Sequence, residues 1–358
     1  MGSWGRGKAF LLFVQPLLKV LGMADGFATV AGRYACCVLL VTPCMAVQRS
    51  IGVWLVARKN NQPRMVVTLV ALPLHVAFTW WFTSLWGYQG AGLAMTLSTG
   101  LQALLMYFYI SCSPRCTRSW QGFSREAFKD WGPYLEVALP GVWMNTEYFV
   151  GESLTLAASM LPEVDVCLSA LSIYQLTQTT CYQIPSGIRM VLSSRIGNQL
   201  GAGEPEKARE AQFAGLKLTL IWLVLPLIVF LSFTRQWGRL FTQNVEVLEL
   251  LEKLVGLMLL YSSLDALLAY CNGVLSSCGR QEISGRWAIR AYLFVSFPLA
   301  MLFAFAFKWG VVGLCLGHCV GKLCHVLPCA AALRGISWRL ESDAAQERVG
   351  RVTSLCRS

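Results

Sequence analysis

The chain has 358 residues, 30 Lys and Arg against 19 Asp and Glu, and a formal net charge of +11. It is 55% hydrophobic and only 14% charged, where an ordinary soluble domain is about 25% charged. With a mean hydropathy of +0.52 there is too little charge to cover a globular surface, which excludes a soluble enzyme, a nucleic-acid binder and a disordered chain despite the basic balance.

Apolar runs of roughly 20 residues, enough to cross a bilayer, recur along the chain. In order they are Val38–Ala57, Met65–Trp86, Gly90–Ser111, Val137–Leu161, Val166–Ile188, Leu218–Thr234, Leu254–Cys278, Ala291–Phe307 and Trp309–Leu333. Phe10–Gly22 is apolar but short and reads as the tail of a further helix. No strand-like alternation with regular turns appears, which argues against a β-barrel. The fold class is an all-α integral membrane protein, a polytopic helix bundle. The 14 cysteines are scattered through the spans and behave as small buried apolar residues rather than a disulfide framework. The three histidines, His75, His318 and His325, have no partners at metal-ligand spacing, so no metal site is expected.

Basic residues mark alternate connections. Arg58, Lys59 and Arg64 occupy one, Arg115, Arg118, Arg125 and Lys129 the next but one. Arg195, Lys207 and Arg209 follow, then Arg280, Arg286 and Arg290, then the tail from Arg334 onward. The intervening turns at Gly87–Gln89 and Pro162–Asp165 have none. The positive-inside rule therefore puts the basic loops and the C-terminus in the cytoplasm, and the net charge needs no nucleic-acid partner.

Trp86-Gly87-x-x-Gly90-x-x-Leu93 recurs as Trp309-Gly310-x-x-Gly313-x-x-Leu316. Each copy sits at a non-cytoplasmic turn before an apolar helix. The copies lie about 220 positions apart, as parallel repeats of a secondary transporter would, with the basic stretch Cys112–Gly132 between two halves. By that period the first half is expected to open upstream of Met1, leaving the front of the bundle incomplete.

Only Glu147, Glu152 and Asp265 among the acids fall well inside spans. A charge at the bilayer centre costs about 2.5–3.5 kcal/mol on insertion scales, so such residues face a bundle interior or a wet cavity and act in ion or proton paths. Glu147 and Glu152 are about 140° apart on an ideal helix, so one is expected to face a cavity and the other a neighbouring helix. Coupling is favoured over structural pairing with Arg49, Arg189 or Lys322. The next span is dense in uncharged polar groups, with Tyr174, Gln175, Thr177, Gln178, Thr179 and Tyr182 among them, and must line a cavity or seam. It is expected to break at Pro185-Ser186-Gly187. Tyr148, Tyr174, Gln175, Gln178 and Tyr292 are the cavity-lining candidates, the aromatics suiting an amphipathic cation.

These residues resemble the multidrug and toxic compound extrusion (MATE) transporters of the eukaryotic type. The stretch Ile184-Pro185-Ser186-Gly187, followed by Ser194-Arg195-Ile196-Gly197-Asn198-Gln199-Leu200-Gly201-Ala202-Gly203, looks like the family signature. Leu139-Pro140 with Glu147-Tyr148-x-x-x-Glu152, and Asp265 with Gly273-Val274-Leu275 and Gly279-Arg280-Gln281, are similar to its seventh and tenth helices. The resemblance implies a two-lobe architecture with about nine to ten of twelve transmembrane helices present. An incomplete N-lobe would span residues 1–130, a C-lobe 131–333 and a cytoplasmic tail 334–358. It implies an efflux antiporter, not an enzyme, that exports organic cations, xenobiotics or metabolites. No cofactor is expected, the coupling ion being H⁺ or Na⁺. Glu147, Glu152 and Asp265 match its cation-coupling and substrate-binding carboxylates. The partners implied are a small organic cation or metabolite and membrane lipid, in the plasma or vacuolar membrane, with the oligomeric state open. The alternative is a non-transporting relic or partner subunit with the same fold. An intramembrane enzyme built on His318, His325 and nearby cysteines finds no acid–His–nucleophile spacing.

Overall fold

The computed structural model describes residues 25–58, 60, 62–117, 131–143 and 145–355, with Pro16. All regular structure among them is helical. The expected helix tail at Phe10–Gly22 and most of the basic stretch Cys112–Gly132 lie outside the described residues. The chain divides into two compact units, Met1–Lys129 and Asp130–Ser358.

The first unit contains α1 (Asp25–Cys37), α2 (Val41–Ala57), α3 (Gln62–Trp86) and α4 (Tyr88–Cys112). The chain bends by 47° where α1 meets α2. Ile51 and Leu55 of α2 close on Met106 and Ile110 of α4 to make a small core. On α3, Leu69, Leu72, Val76 and Trp80 are exposed, an apolar face that suits a membrane-spanning helix.

The second unit holds α5 (Trp131–Trp143), α6 (Thr146–Ala158), α7 (Val164–Gly201), α8 (Pro205–Arg239), α9 (Val245–Ser277), α10 (Gln281–Ala306), α11 (Gly310–Arg334) and α12 (Trp338–Leu355). Local chemistry sets the ends of several. Pro205 opens α8, where its missing N–H costs nothing. Asn244 caps α9 by accepting from the N–H groups of Glu246 and Val247. The central pair is α7 with α9, and α11 packs on the other side of α9. The largest core joins Leu154, Leu171, Leu254, Met258, Tyr292 and Leu314, drawn from α6, α7, α9, α10 and α11.

Among the described residues, six helices are long and apolar enough to cross a membrane, or seven if the bent α1–α2 pair is one span. That is fewer than the nine runs expected, for two reasons. The run Val137–Leu161 is interrupted at Asn145, a turn residue, and is shared between two helices of 13 residues each. The run Val166–Ile188 lies inside the 38-residue α7, whose many polar side chains dilute its apolar character. The break expected at Pro185 does not occur, since α7 continues unbroken to Gly201. Membrane helices tolerate a proline when neighbouring groups take over the freed backbone carbonyl.

The repeated Trp-Gly motif gives two corners that use their glycines alike, although the second adds a positive φ at Lys308. Gly87 and Gly310 both have positive φ, +58° and +56°, a conformation that favours glycine. Three residues later, a Cβ on Gly90 would run into the Phe82 carbonyl, and one on Gly313 would lie 2.6 Å from the Phe303 carbonyl carbon. In each copy the first glycine turns the chain and the second lets the new helix pass close to the old one. Gly317 and Gly321 extend that close seam of α11 along Ala300 and Ser296 of α10.

The segment expected as a tail is largely α12, which is docked. Glu341, almost fully buried, pairs with Arg280. The buried Ser342 hydroxyl donates to the Leu200 carbonyl at 3.1 Å, and Arg348 donates to the Cys278 carbonyl at 3.2 Å. One helix thus holds the α7–α8 turn and the α9–α10 turn together.

Candidate functional site

The turn at Asn145 restarts the helix at Thr146 and puts Glu147 in the first turn of α6, where the positive end of the helix dipole favours an anion. From α9, Tyr261 and Asp265 stand one helical turn apart. From α11, His318, Lys322 and His325 follow at i, i+4 and i+7 and share one face. That face meets α6, α9 and α10 beside the glycine seam. The first irregular stretch of α10, a π-helical segment at Arg290–Ser296, carries Tyr292. Such wide turns often mark functional positions in helices.

These elements converge on the ammonium of Lys322, which has no exposed surface. It donates to Glu147 Oε1, and to Asp265 Oδ1 at 2.5 Å. The two carboxylate side chains keep 17% and 15% of their surface exposed, which decides the matter of access: solvent reaches the acids and not the base. Tyr261 donates to Glu147 Oε1 and Tyr292 to Glu147 Oε2 at 2.9 Å. The ring of Tyr261 also lies under the ammonium, 4.8 Å from it.

The histidines stand behind the tyrosines. His318 Nε2 is 3.3 Å from the Tyr261 hydroxyl and its ring meets that of Tyr261 edge-on. His325 Nδ1 is 3.4 Å from the Tyr292 hydroxyl, and its Nε2 lies 3.1 Å from the Ser284 carbonyl, which can only accept. The Ser284 hydroxyl in turn donates to Asn272 Oδ1 at 2.6 Å. With Lys322 a cation and both acids anions, the triad carries one net negative charge. Removing any partner from such a buried group leaves a charge uncompensated, typically at a cost of several kcal/mol. Among the described residues, no cluster of three or more His, Cys, Asp and Glu could hold a metal ion.

A cavity of about 140 Å³ opens beside the triad, with Glu147, Asp265 and His318 in its wall. That is below the roughly 300–1,000 Å³ of drug-sized ligand sites. Of the lining candidates from sequence, Tyr148, Tyr174, Gln175 and Gln178 are in the wall. Gln178 is also tied to α9, donating to the Met258 carbonyl at 3.0 Å and accepting from Ser262 at 2.6 Å. Gln175 is tied to α6, donating to Thr155 at 2.9 Å. Tyr292 is not in the wall: it is fully buried, because the π-helical segment turns it onto Glu147 instead.

The three acids do not act as one group. Glu147 and Asp265 meet at Lys322, whereas Glu152 is exposed in the cavity wall and outside the triad. Five positions on one helix separate the two glutamates, and the turn between them carries Glu152 away from α11. Of the cations named as pairing partners, Lys322 pairs, Arg189 lines the cavity and Arg49 is exposed in the other unit. Tyr261 is absent from the sequence-based candidates, since a tyrosine inside a leucine-rich run carries no signal of its own. The two histidines and Lys322 do carry one, the i, i+4, i+7 stripe of polar residues on an otherwise apolar helix.

Comparison with known proteins gives a consistent set. The family model described as MatE matches residues 142–304. Protein DETOXIFICATION 16 of Arabidopsis thaliana is 30% identical over 95% of this chain and 71% of its own length. Protein DETOXIFICATION 17 of the same plant is also 30% identical, over 94% and 71%. The crystal structure of the eukaryotic MATE transporter AtDTX14 superposes with a TM-score of 0.88 at 27% identity, covering 95% of this chain and 77% of that one. An outward-facing multidrug resistance MATE family transporter shares the fold at a TM-score of 0.70 and 18% identity, over 95% and 76%.

Proposed function

The chain belongs to the MatE family of multi-pass membrane efflux transporters, and from that premise we propose that it is a secondary antiporter exporting organic cations, xenobiotics or metabolites in exchange for protons or sodium. The observation that carries this reading is the ionic triad, two carboxylates on one ammonium, at the wall of a cavity; with both acids ionised it carries one net negative charge. One positive charge completes it. A proton on a carboxylate and a cationic substrate beside it are alternative ways of supplying that charge, so the two compete and exchange. Tyr261 and Tyr292 hold the Glu147 carboxylate in place during the exchange, because each donates to one of its oxygens.

Glu147 and Asp265 are the coupling residues in this reading. Glu152 is the substrate-facing acid, since it stands exposed in the same wall. Tyr148, more than half exposed, and Tyr174 supply aromatic surface for a cation. In this reading the α12 end of the second unit faces the cytoplasm, as the positive-inside rule favours, and the chain resides in the plasma or vacuolar membrane.

The test is efflux of a fluorescent organic cation from vesicles containing the full chain, driven by an imposed pH gradient and, separately, by a sodium gradient. The expected result is gradient-driven transport that falls at least tenfold in Glu147→Gln and in Asp265→Asn, with folded protein confirmed by its thermal transition. Transport untouched by both substitutions would overturn the coupling roles. No transport by well-folded protein under either gradient would favour a subunit or relic that keeps the fold.

A further inference from the structure

We infer that Lys322 fixes the valence of the cation that the site accepts, holding it at one; the inference rests on the antiporter reading above and deepens it. Lys322 has no exposed surface and its ammonium sits on both Glu147 and Asp265. It is a cation tied to the chain by its own side chain, so it cannot leave with the substrate or be replaced by one.

The charges around it can be counted element by element. α6 contributes Glu147, α9 contributes Asp265 with the neutral Tyr261, α10 contributes the neutral Tyr292, and α11 contributes Lys322. His318 faces the Tyr261 hydroxyl, and His325 lies between the Tyr292 hydroxyl and the Ser284 carbonyl; both are counted as neutral imidazoles, the predominant form in neutral solution. Arg189 of α7 and Glu152 of α6 also line the cavity and add one formal charge of each sign. The sum is one negative charge.

A singly charged ligand or one proton brings that sum to zero. A doubly charged ligand overshoots it and leaves a positive charge in a confined, poorly solvated place, which is the arrangement that buried ion pairs penalise most. Discrimination of this kind comes from what the wrong ligand leaves unpaired rather than from a better contact to the right one. Without the lysine the same two carboxylates present two negative charges, and a compact dication becomes the matched ligand. Tethered charge in the protein thus does the counting.

The test uses an isosteric pair, (dimethylbutyl)trimethylammonium and ethane-bis(trimethylammonium), which differ by one quaternary carbon replaced by nitrogen. Their binding to the purified full chain in detergent is measured by calorimetry. Wild type is expected to favour the monocation at least tenfold. Lys322→Gln should reverse that preference, Lys322→Arg should keep it, and the double variant D265N/K322Q, again with one net negative charge, should restore it. Should Lys322→Gln fail to fold, Asp265→Asn alone, with a neutral pair, must lose at least tenfold in monocation affinity and D265N/K322Q must regain it. A preference that stays within threefold of wild type in these charge variants overturns the inference and leaves the antiporter reading standing. Wild type that binds neither cation overturns the organic-cation reading and the inference with it.

Discussion

In the unit of residues 25–117, the helices are joined by uncharged pairs: Gln48 donates to Gln102 at 2.6 Å, His75 meets Ser98 at 2.9 Å, and Thr96 donates to the Cys37 carbonyl at 2.8 Å. None of α2, α3 and α4 carries an Asp or Glu. In the unit of residues 131–355, the equivalent job at the centre falls to Glu147, Asp265 and Lys322. Both units share the glycine corner, so they turn their helices alike and differ in what they bury between them. A neutral pair contributes about 0.5–1.5 kcal/mol and can be replaced by apolar groups with little loss. An ionic triad cannot lose a single member cheaply, and it has one property the neutral pairs lack: its charge can be completed from outside. The first unit's pairs specify packing, and in the antiporter reading the second unit's triad offers an exchangeable charge.

The largest effect is expected from the substitution that most damages this distinction. Lys322→Met leaves two buried carboxylates facing each other and should cost about 3–5 kcal/mol, read as a lowered midpoint of thermal unfolding in detergent; a cost near that of a neutral pair would mean the triad is hydrated and the contrast false. Next come the shared corners. Gly90→Ala and Gly313→Ala each push a methyl into backbone and should cost about 1–3 kcal/mol by overpacking. Matched losses in the two units would sharpen the claim that the corners are equivalent, and a loss confined to one would break it. Smaller again, Ser98→Ala should cost about 1 kcal/mol by leaving His75 with one partner fewer. Glu152→Gln should change stability by less than about 0.5 kcal/mol, as befits an exposed side chain, so any loss of transport it causes reads on substrate rather than on folding.

Much of this is legible in the sequence where the information is local. Apolar runs locate α2, α3, α4, α8, α9, α10 and α11, and the Trp-Gly repeat points to two corners at which both glycines take a positive φ. Glu147 and Asp265 stand out because an acid in an apolar helix is costly wherever it ends up. The partner is another matter. Lys322 lies 175 positions from Glu147 and 57 from Asp265, and no periodicity within one helix says which face of another it will meet. The same holds for Tyr292, whose aim depends on the π-helical segment, a departure from the very spacing that pattern reading assumes. The continuity of α7 through Pro185 runs against expectation because the proline rule comes from water-exposed helices. The segment 334–358 reads as tail because its composition is that of a charged surface helix, rich in Arg, Glu and Ser. Nothing in it signals that Glu341 and Ser342 have buried places waiting.

That docked helix has a consequence for how the chain is made. Synthesis runs from the N-terminus, and segments fold as they emerge. The Leu200 carbonyl must wait 142 positions for the Ser342 hydroxyl, and Arg280 and the Cys278 carbonyl wait for Glu341 and Arg348. Until α12 arrives, Arg280 lacks Glu341 and the Leu200 and Cys278 carbonyls lack their α12 donors. A ribosome that stalls or a message that stops before Trp338 would leave the triad's helices already synthesised but this clasp unmade. These contacts therefore form only after α7, α8, α9 and α10 have all been made.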